Sequence, residues 1–148
     1  MSVDETVIRA LALRPDSPPG DHVVDITTTG ARTGLPRRIE IWFHRVDGHF
    51  YLTGMPVPRN WYANLRKNPH FVVHLKQGVR ADLPATAVTV DEQTRQRVIP
   101  AVVALQDRPE YAARGVPRQD VTVWLARSPL IEIVFDDKEL HAAAARAQ

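Results

Sequence analysis

The chain has 148 residues, 44% hydrophobic and 24% charged, a balance that excludes a disordered polymer and suits one domain with a packed core. It has no cysteine, which excludes a disulfide framework, a thiolate metal site and a cysteine nucleophile. The formal charge of +2, from 19 basic and 17 acidic residues, is too balanced to argue for nucleic acid, and no apolar run reaches the length of a membrane span. Asp4 and Glu5 come early and no apolar h-region follows them, so a secretory signal is not expected and cytoplasmic residence is.

In chain order, Val3 to Leu13 reads as a short helix. The loop "RPDSPPGDH" follows, because Pro15, Pro18 and Pro19 remove donors and fix φ. His22 to Thr29 is rich in β-branched residues and predicts a strand. Gly30 to Pro36 is a turn. Beyond it Ile39, Ile41 and Phe43 alternate with Arg38, Glu40, Trp42 and His44, which predicts a strand with two unlike faces. Asp47-Gly48 marks a hairpin tip, and His49 to Gly54 is the return strand.

After "MPVPRN" the segment "WYANLRKNP" predicts a short helix capped by Asn60 and ended by Asn68-Pro69. "HFVVHLKQ" and "RADLPATAVTV" read as strands, with Pro84 at a bulge or an edge. "DEQTRQRVIPAVVAL" reads as a helix that Pro100 kinks or divides, and "QDRPEYAARGVPRQ" as loop or short turns. "DVTVWLARSPLIEIVF" reads as two strand-like pieces around Ser128-Pro129. Strands joined by hairpins, without regular strand–helix alternation, predict an α+β fold with an antiparallel sheet rolled into a small barrel.

The basic residues are concentrated. Three arginines and no acid lie between Ala31 and Arg38, and Arg59, Arg66 and Lys67 follow. In "GARTGLPRR" two glycines four apart let the backbone approach a ligand, while Arg32, Arg37 and Arg38 are placed to fork around phosphate or carboxylate oxygens. Thr33 adds a hydroxyl. Taken alone, the stretch reads better as an ordinary turn with solvated arginines. Trp61 and Tyr62 read first as core anchors, with Asn64 one helical turn beyond Trp61.

Histidines do not assemble a metal site: His70 and His74 would stand about 14 Å apart on a strand, and His44 and His49, flanking the hairpin, lack a third ligand. Ser2, Ser17 and Ser128 sit in no nucleophile elbow. A chain without hydrolytic groups gains chemistry most simply from a borrowed cofactor acting on a small molecule.

Taken together, "TTTGARTGLPRR", "DGHFYLTG" and "WYANLRKNPHFVVHL" resemble the deazaflavin (F420)-dependent nitroreductase and quinone reductase family, from about Val23 to Val90, with a weaker echo in "VTVWLARSPLIEIVF". That family is related to flavin-binding pyridoxamine-phosphate-oxidase-like proteins. The resemblance implies an α+β antiparallel split β-barrel with a few short peripheral helices. One domain would span 1–148, with an N-terminal helix and Pro-rich loop at 1–21, the barrel at 22–136 and a C-terminal tail at 137–148.

It also implies coenzyme F420, a hydride carrier with a ring, a phosphate and a glutamyl tail. Arg32, Thr33, Gly34 and Arg37 would hold the anionic end. Trp42 would pack near the cofactor, Thr53 would lie beside the ring, and Trp61 and Asn64 would close the groove. Tyr62, Tyr111 and His44 are candidate proton donors. The alternatives are an FMN-dependent enzyme on the same barrel and a non-catalytic binding protein. Glu40, in the basic stretch, and the short "GMPVPRN" loop depart from the family pattern, and no tyrosine-rich C-terminal segment is present. Monomer and homodimer both stay open.

Overall fold

The computed structural model describes residues 4–54, 60–115 and 118–148. Six antiparallel strands close into a barrel: β1 (Val23–Thr29), β2 (Pro36–Val46), β3 (His49–Thr53), β4 (His70–Leu75), β5 (Ala81–Thr89) and β6 (Leu130–Phe135). Around the barrel they run β1-β2-β3-β6-β5-β4, and β1 pairs with β4 from Val24↔Leu75 to Thr27↔Val72 to close the ring. The expected antiparallel split barrel of the α+β class is the fold observed.

The period of two decides which residues go inside. Val24 and Ile26 of β1 face Ile41 and Ile39 of β2, and Phe43, Phe50, Leu52, Val73, Ile131 and Ile133 complete the interior. Helix α1 (Glu5–Leu11) and helix α6 (Lys138–Arg146) pack together at one side and send Leu11, Leu140 and Ala144 into the same core. Helix α2 (Asn60–Lys67) adds Trp61 and Leu65. A second cluster forms on the outer face of β3, where Tyr51 meets Val98, Ile99, Val102 and Val103 of helix α3 (Glu92–Gln106).

The hairpin forms as its sequence dictates: Asp47 and Gly48 take φ of 53° and 77°, the two left-handed residues a tight turn requires. A Cβ on Gly48 would lie 2.7 Å from the carbonyl oxygen of Ala145, so the end of α6 rests on this tip. Arg45 completes that junction by donating to the carbonyls of Ala144 and Ala145 at 3.1 and 3.0 Å. These are carbonyls that the last turn of a helix leaves without partners.

Several expectations change. "VTVWLAR" is not a strand but helix α5 (Val121–Arg127). Asp120 caps it by accepting from the amides of Thr122 and Val123 at 2.9 and 3.3 Å. That cap and the seat of Trp124 against α3 outweigh the β-propensity of the alternating valines. The 137–148 segment is largely helical as α6, capped by Asp137 on the amide of Leu140 at 3.0 Å. Pro100 does not divide α3, which runs unbroken through it. Helix α4 (Pro109–Ala112) supplies one turn within the expected loop.

Pro84 pairs with Val72 of β4, while pairing of β5 with β6 begins at Ala85, so its missing N–H falls where no strand needs it. Asn60 is the first residue of α2 rather than its cap, and the "MPVPR" part of the shortened loop lies outside the described residues.

Candidate functional site

Strand β2 is longer than its neighbour on one side. β1 pairs with it along its length from Pro36 to Trp42, but β3 covers only Phe43 to Val46. The second edge of β2 from Pro36 to Trp42 therefore has no strand partner among the described residues. Beside it lies a groove of about 290 Å³, bordered by Ile39 to Trp42, Thr53, Trp61, Gln106 and Trp124. An unpaired strand edge next to aromatic walls offers backbone hydrogen bonds and flat apolar surface to one ligand.

At the start of β2 the glycine turn is held in a fixed shape. The amide of Gly30 donates to Leu35 at 2.8 Å, and that of Gly34 donates back to Gly30 at 2.9 Å. Gly34 has φ of 70°, and a Cβ on Gly30 would lie 2.5 Å from the hydroxyl of Thr33. Only glycine fits both positions without strain. The turn is then pinned from α2: Asn64 Oδ1 accepts from the amide of Ala31 at 2.8 Å, and Nδ2 donates to Thr28 at 3.0 Å. Lys67 Nζ donates to the carbonyl of Ala31 at 2.8 Å.

Arg32 and Arg37 project from this frame as exposed side chains without an ion-pair partner among the described residues. Arg37 stands directly across from Thr28, so it shares that face of the sheet. Arg38 points the other way and donates to Asp25 at 3.0 Å. Glu40 joins the same outer network: its carboxylate accepts from Lys76, which also contacts Asp25 at 2.7 Å. Those two cations hold the Asp25 carboxyl below its usual range, Lys76 more than Arg38. Glu40 borders the groove, but its charge is matched by Lys76.

The other end of β2 is dry. Trp42 stacks on His22 at 5.7 Å between centroids and meets Tyr111 edge-on at 5.6 Å. His22 Nδ1 lies 2.9 Å from the carbonyl of Phe43, which can only accept, so Nδ1 carries the proton. Nε2 then accepts from the Tyr111 hydroxyl at 2.9 Å. His44 is 2% exposed, and burial with the neighbouring His22 pushes its imidazole down to about 3. Its Nδ1 has no hydrogen-bond partner among the described residues.

The predicted residues therefore divide into two groups joined by β2 and α2. Arg32, Thr33, Gly34, Arg37 and Asn64 build the turn. Trp42, Thr53 and Trp61 border the groove. Three of them have structural duties: the Asn64 amide is engaged by the turn, and Thr53 donates to the carbonyl of Pro129 at 2.6 Å. Thr33 accepts from Leu35 within the turn at 3.2 Å. Of the candidate donors, Tyr111 is fully buried against His22 and is not beside the groove, whereas His44 borders it. Sequence reading missed Gln106. The signal was present, because Gln106 continues the buried α3 stripe of Val98, Ile99, Val102 and Val103.

A sequence pattern of F420H(2)-dependent quinone reductases matches residues 16–127, three-quarters of the chain. The chain belongs to that family. Among solved structures, it is similar to a conserved hypothetical protein from Mycobacterium tuberculosis, with TM-score 0.58 and 17% identity over 92% of this chain and 82% of the other. An F420 reductase matches with TM-score 0.53 and 17% identity, covering 86% and 91%. A protein assigned as a pyridoxamine 5'-phosphate oxidase from Listeria innocua matches with TM-score 0.55 and 16% identity, covering 90% and 93%. At these identities the structural likenesses speak for the barrel alone. The F420H(2)-dependent quinone reductase family is one of enzymes that use the reduced deazaflavin. No helix among the described residues is long and apolar enough to cross a membrane.

Proposed function

We propose that this chain binds coenzyme F420 along the open edge of β2 and acts as an F420H2-dependent oxidoreductase on a small electrophile: a quinone, an enone or a nitro-aromatic. The observation that carries the reading is the placement of two unpaired arginines, on a glycine turn fixed by α2, at one end of an aromatic groove. From Arg37 to Trp42 is five strand residues, about 17 Å; the two side chains leave opposite faces of β2, so a ligand with an anionic end and a flat ring would follow the open edge between them.

The residues present fit that group. Gly30 and Gly34 keep the turn open to close approach, and Arg32 and Arg37 match phosphate or carboxylate oxygens. Trp42 and Trp61 give the ring an apolar berth. The chemistry F420H2 supplies when bound is hydride donation from its C5. The protein's own share is to orient the ring, exclude water with Trp42, Trp61 and Trp124, and keep a face open for the acceptor. His44, neutral under ordinary conditions, is poorly suited to hold a proton for transfer. Among the described groove residues, none is a charged acid or base free of a partner, consistent with a reaction in which protein groups chiefly align two reactants.

The test is a fluorescence titration of the protein with F420, alongside one with FMN. Micromolar or tighter binding of F420 and weaker binding of FMN is expected. Absence of any F420 signal would sink the reading, and tight FMN binding would move it to the flavin.

A further inference from the structure

The groove's polar side chains can be accounted for one at a time. Thr53 donates to the carbonyl of Pro129, and the Trp124 indole N–H donates to Gln119 Oε1 at 2.8 Å. The Glu40 carboxylate is matched by Lys76. Gln106 remains. It is 8% exposed, it borders the groove, and its side-chain amide has no hydrogen-bond partner among the described residues. Its position on α3 follows Val98, Ile99, Val102 and Val103, where a fifth apolar residue would bury without cost. The amide atoms are not sealed from solvent, so they open onto the groove, where a ligand can replace water on them.

We propose that Gln106 recognises the C(=O)–N–H edge of the ring that occupies the groove. The proposal rests on the deazaflavin reading and names the residue that reads the ring. The choice of edge follows from what an amide offers. The Gln106 side chain has a carbonyl that accepts and an NH2 that donates. A quinone or nitro oxygen only accepts, so it would satisfy the NH2 and leave the carbonyl bare. A lactam or imide edge both gives and takes, and closes two hydrogen bonds with one amide. The pyrimidine part of a deazaflavin carries such an edge, whereas its acceptors do not. Gln106 is thus a positioning residue for the ring, and the acceptor must lie against the ring's face rather than at this end.

The experiment compares wild type, Gln106→Leu and Gln106→Met by titration with F420 and with a deazaflavin methylated at the pyrimidine N–H, with Tm measured for each. Wild type is expected to bind F420 at least tenfold more tightly than either variant, and to prefer it over the methylated ring. Both variants should lose that preference while keeping their Tm, since no internal hydrogen bond is removed. Equal F420 affinity in wild type and in a folded variant would overturn the proposal and leave the deazaflavin reading intact. No binding by wild type would overturn both. A variant that loses Tm along with affinity, while keeping the preference for the unmethylated ring, would also overturn it by showing a structural role.

Discussion

At its start β2 carries Arg37 and Arg38 into solvent beside a turn of exposed residues; six residues past Arg38, His44 is 2% exposed and pressed against His22. The first end is rigid because its backbone is fixed, by two glycines, three turn hydrogen bonds and the Asn64 amide. The second end is rigid because its rings are packed. Charge suits the first arrangement, since arginines keep their water until an anion arrives. A flat ring suits the second, since apolar walls have no hydration to give up. One strand thus carries two unlike surfaces because its partner β3 ends before the strand does.

The largest effect is expected at Asn64. Asn64→Leu removes two hydrogen bonds and strands the Ala31 amide and Thr28 hydroxyl, for a loss of about 3 kcal/mol. A drop in Tm of roughly 10 °C is expected in a scanning calorimeter, at about 3 °C per kcal/mol. If Tm holds, the turn is not fixed from α2.

Next is the charge itself. Arg37→Ala should weaken F420 binding by roughly 30-fold, about 2 kcal/mol for a charge-assisted contact, with Tm unmoved because the arginine is exposed. The wild-type affinity should also fall as salt rises, and less steeply in the variant. A flat salt dependence in both would show that the turn does not hold an anion.

The packed end is tested by pH. His44 is held neutral, with its folded-state pKa lowered to about 3. Above the unfolded value near 6.5 both states are neutral and stability is full. As pH falls below 6.5 the unfolded chain gains a proton that the folded chain refuses, so stability falls, and the loss levels off near pH 3. Between pH 7 and 5.5 this comes to about 1 kcal/mol. His44→Phe should flatten the slope without abolishing it, because burial also lowers His22. Chemical denaturation at the two pH values reads the difference; identical slopes in both proteins would contradict a buried neutral imidazole.

The smallest effect is expected at Glu40. Its partner Lys76 is held on the outer network and the carboxylate is exposed, so Glu40→Gln should change stability by under about 1 kcal/mol. F420 affinity should move by less than threefold in a titration. A large gain in affinity would mean that Glu40 repels the cofactor after all.

Local sequence carried much of this molecule. The alternation in β2, the Asp47-Gly48 tip and the glycine turn are short-range signals, since each depends on the conformational freedom of one or two residues. Helix α5 escaped for the same reason in reverse: its valines alternate like a strand, and only the cap at Asp120 and the seat of Trp124 decide otherwise. The motifs "TTTGARTGLPRR" and "WYANLRKNP" already marked Arg32, Arg37, Trp61 and Asn64 as candidates for one site. What they could not supply was the division of labour, in which the Asn64 amide holds the turn while Arg32 and Arg37 have no ion-pair partner among the described residues.

Tertiary structure alone decided the groove. It exists because β3, paired to β2 on one edge and to β6 on the other, ends at Thr53 while β2 runs on beside β1, a consequence of pairings between residues far apart in sequence. The direction of Glu40 was settled by Lys76, which a strand three places later brings alongside Asp25. Gln106 acquires meaning the same way. In the sequence it is a glutamine at the end of a helix; closure of the barrel brings α3 to the groove, where that amide has no hydrogen-bond partner among the described residues.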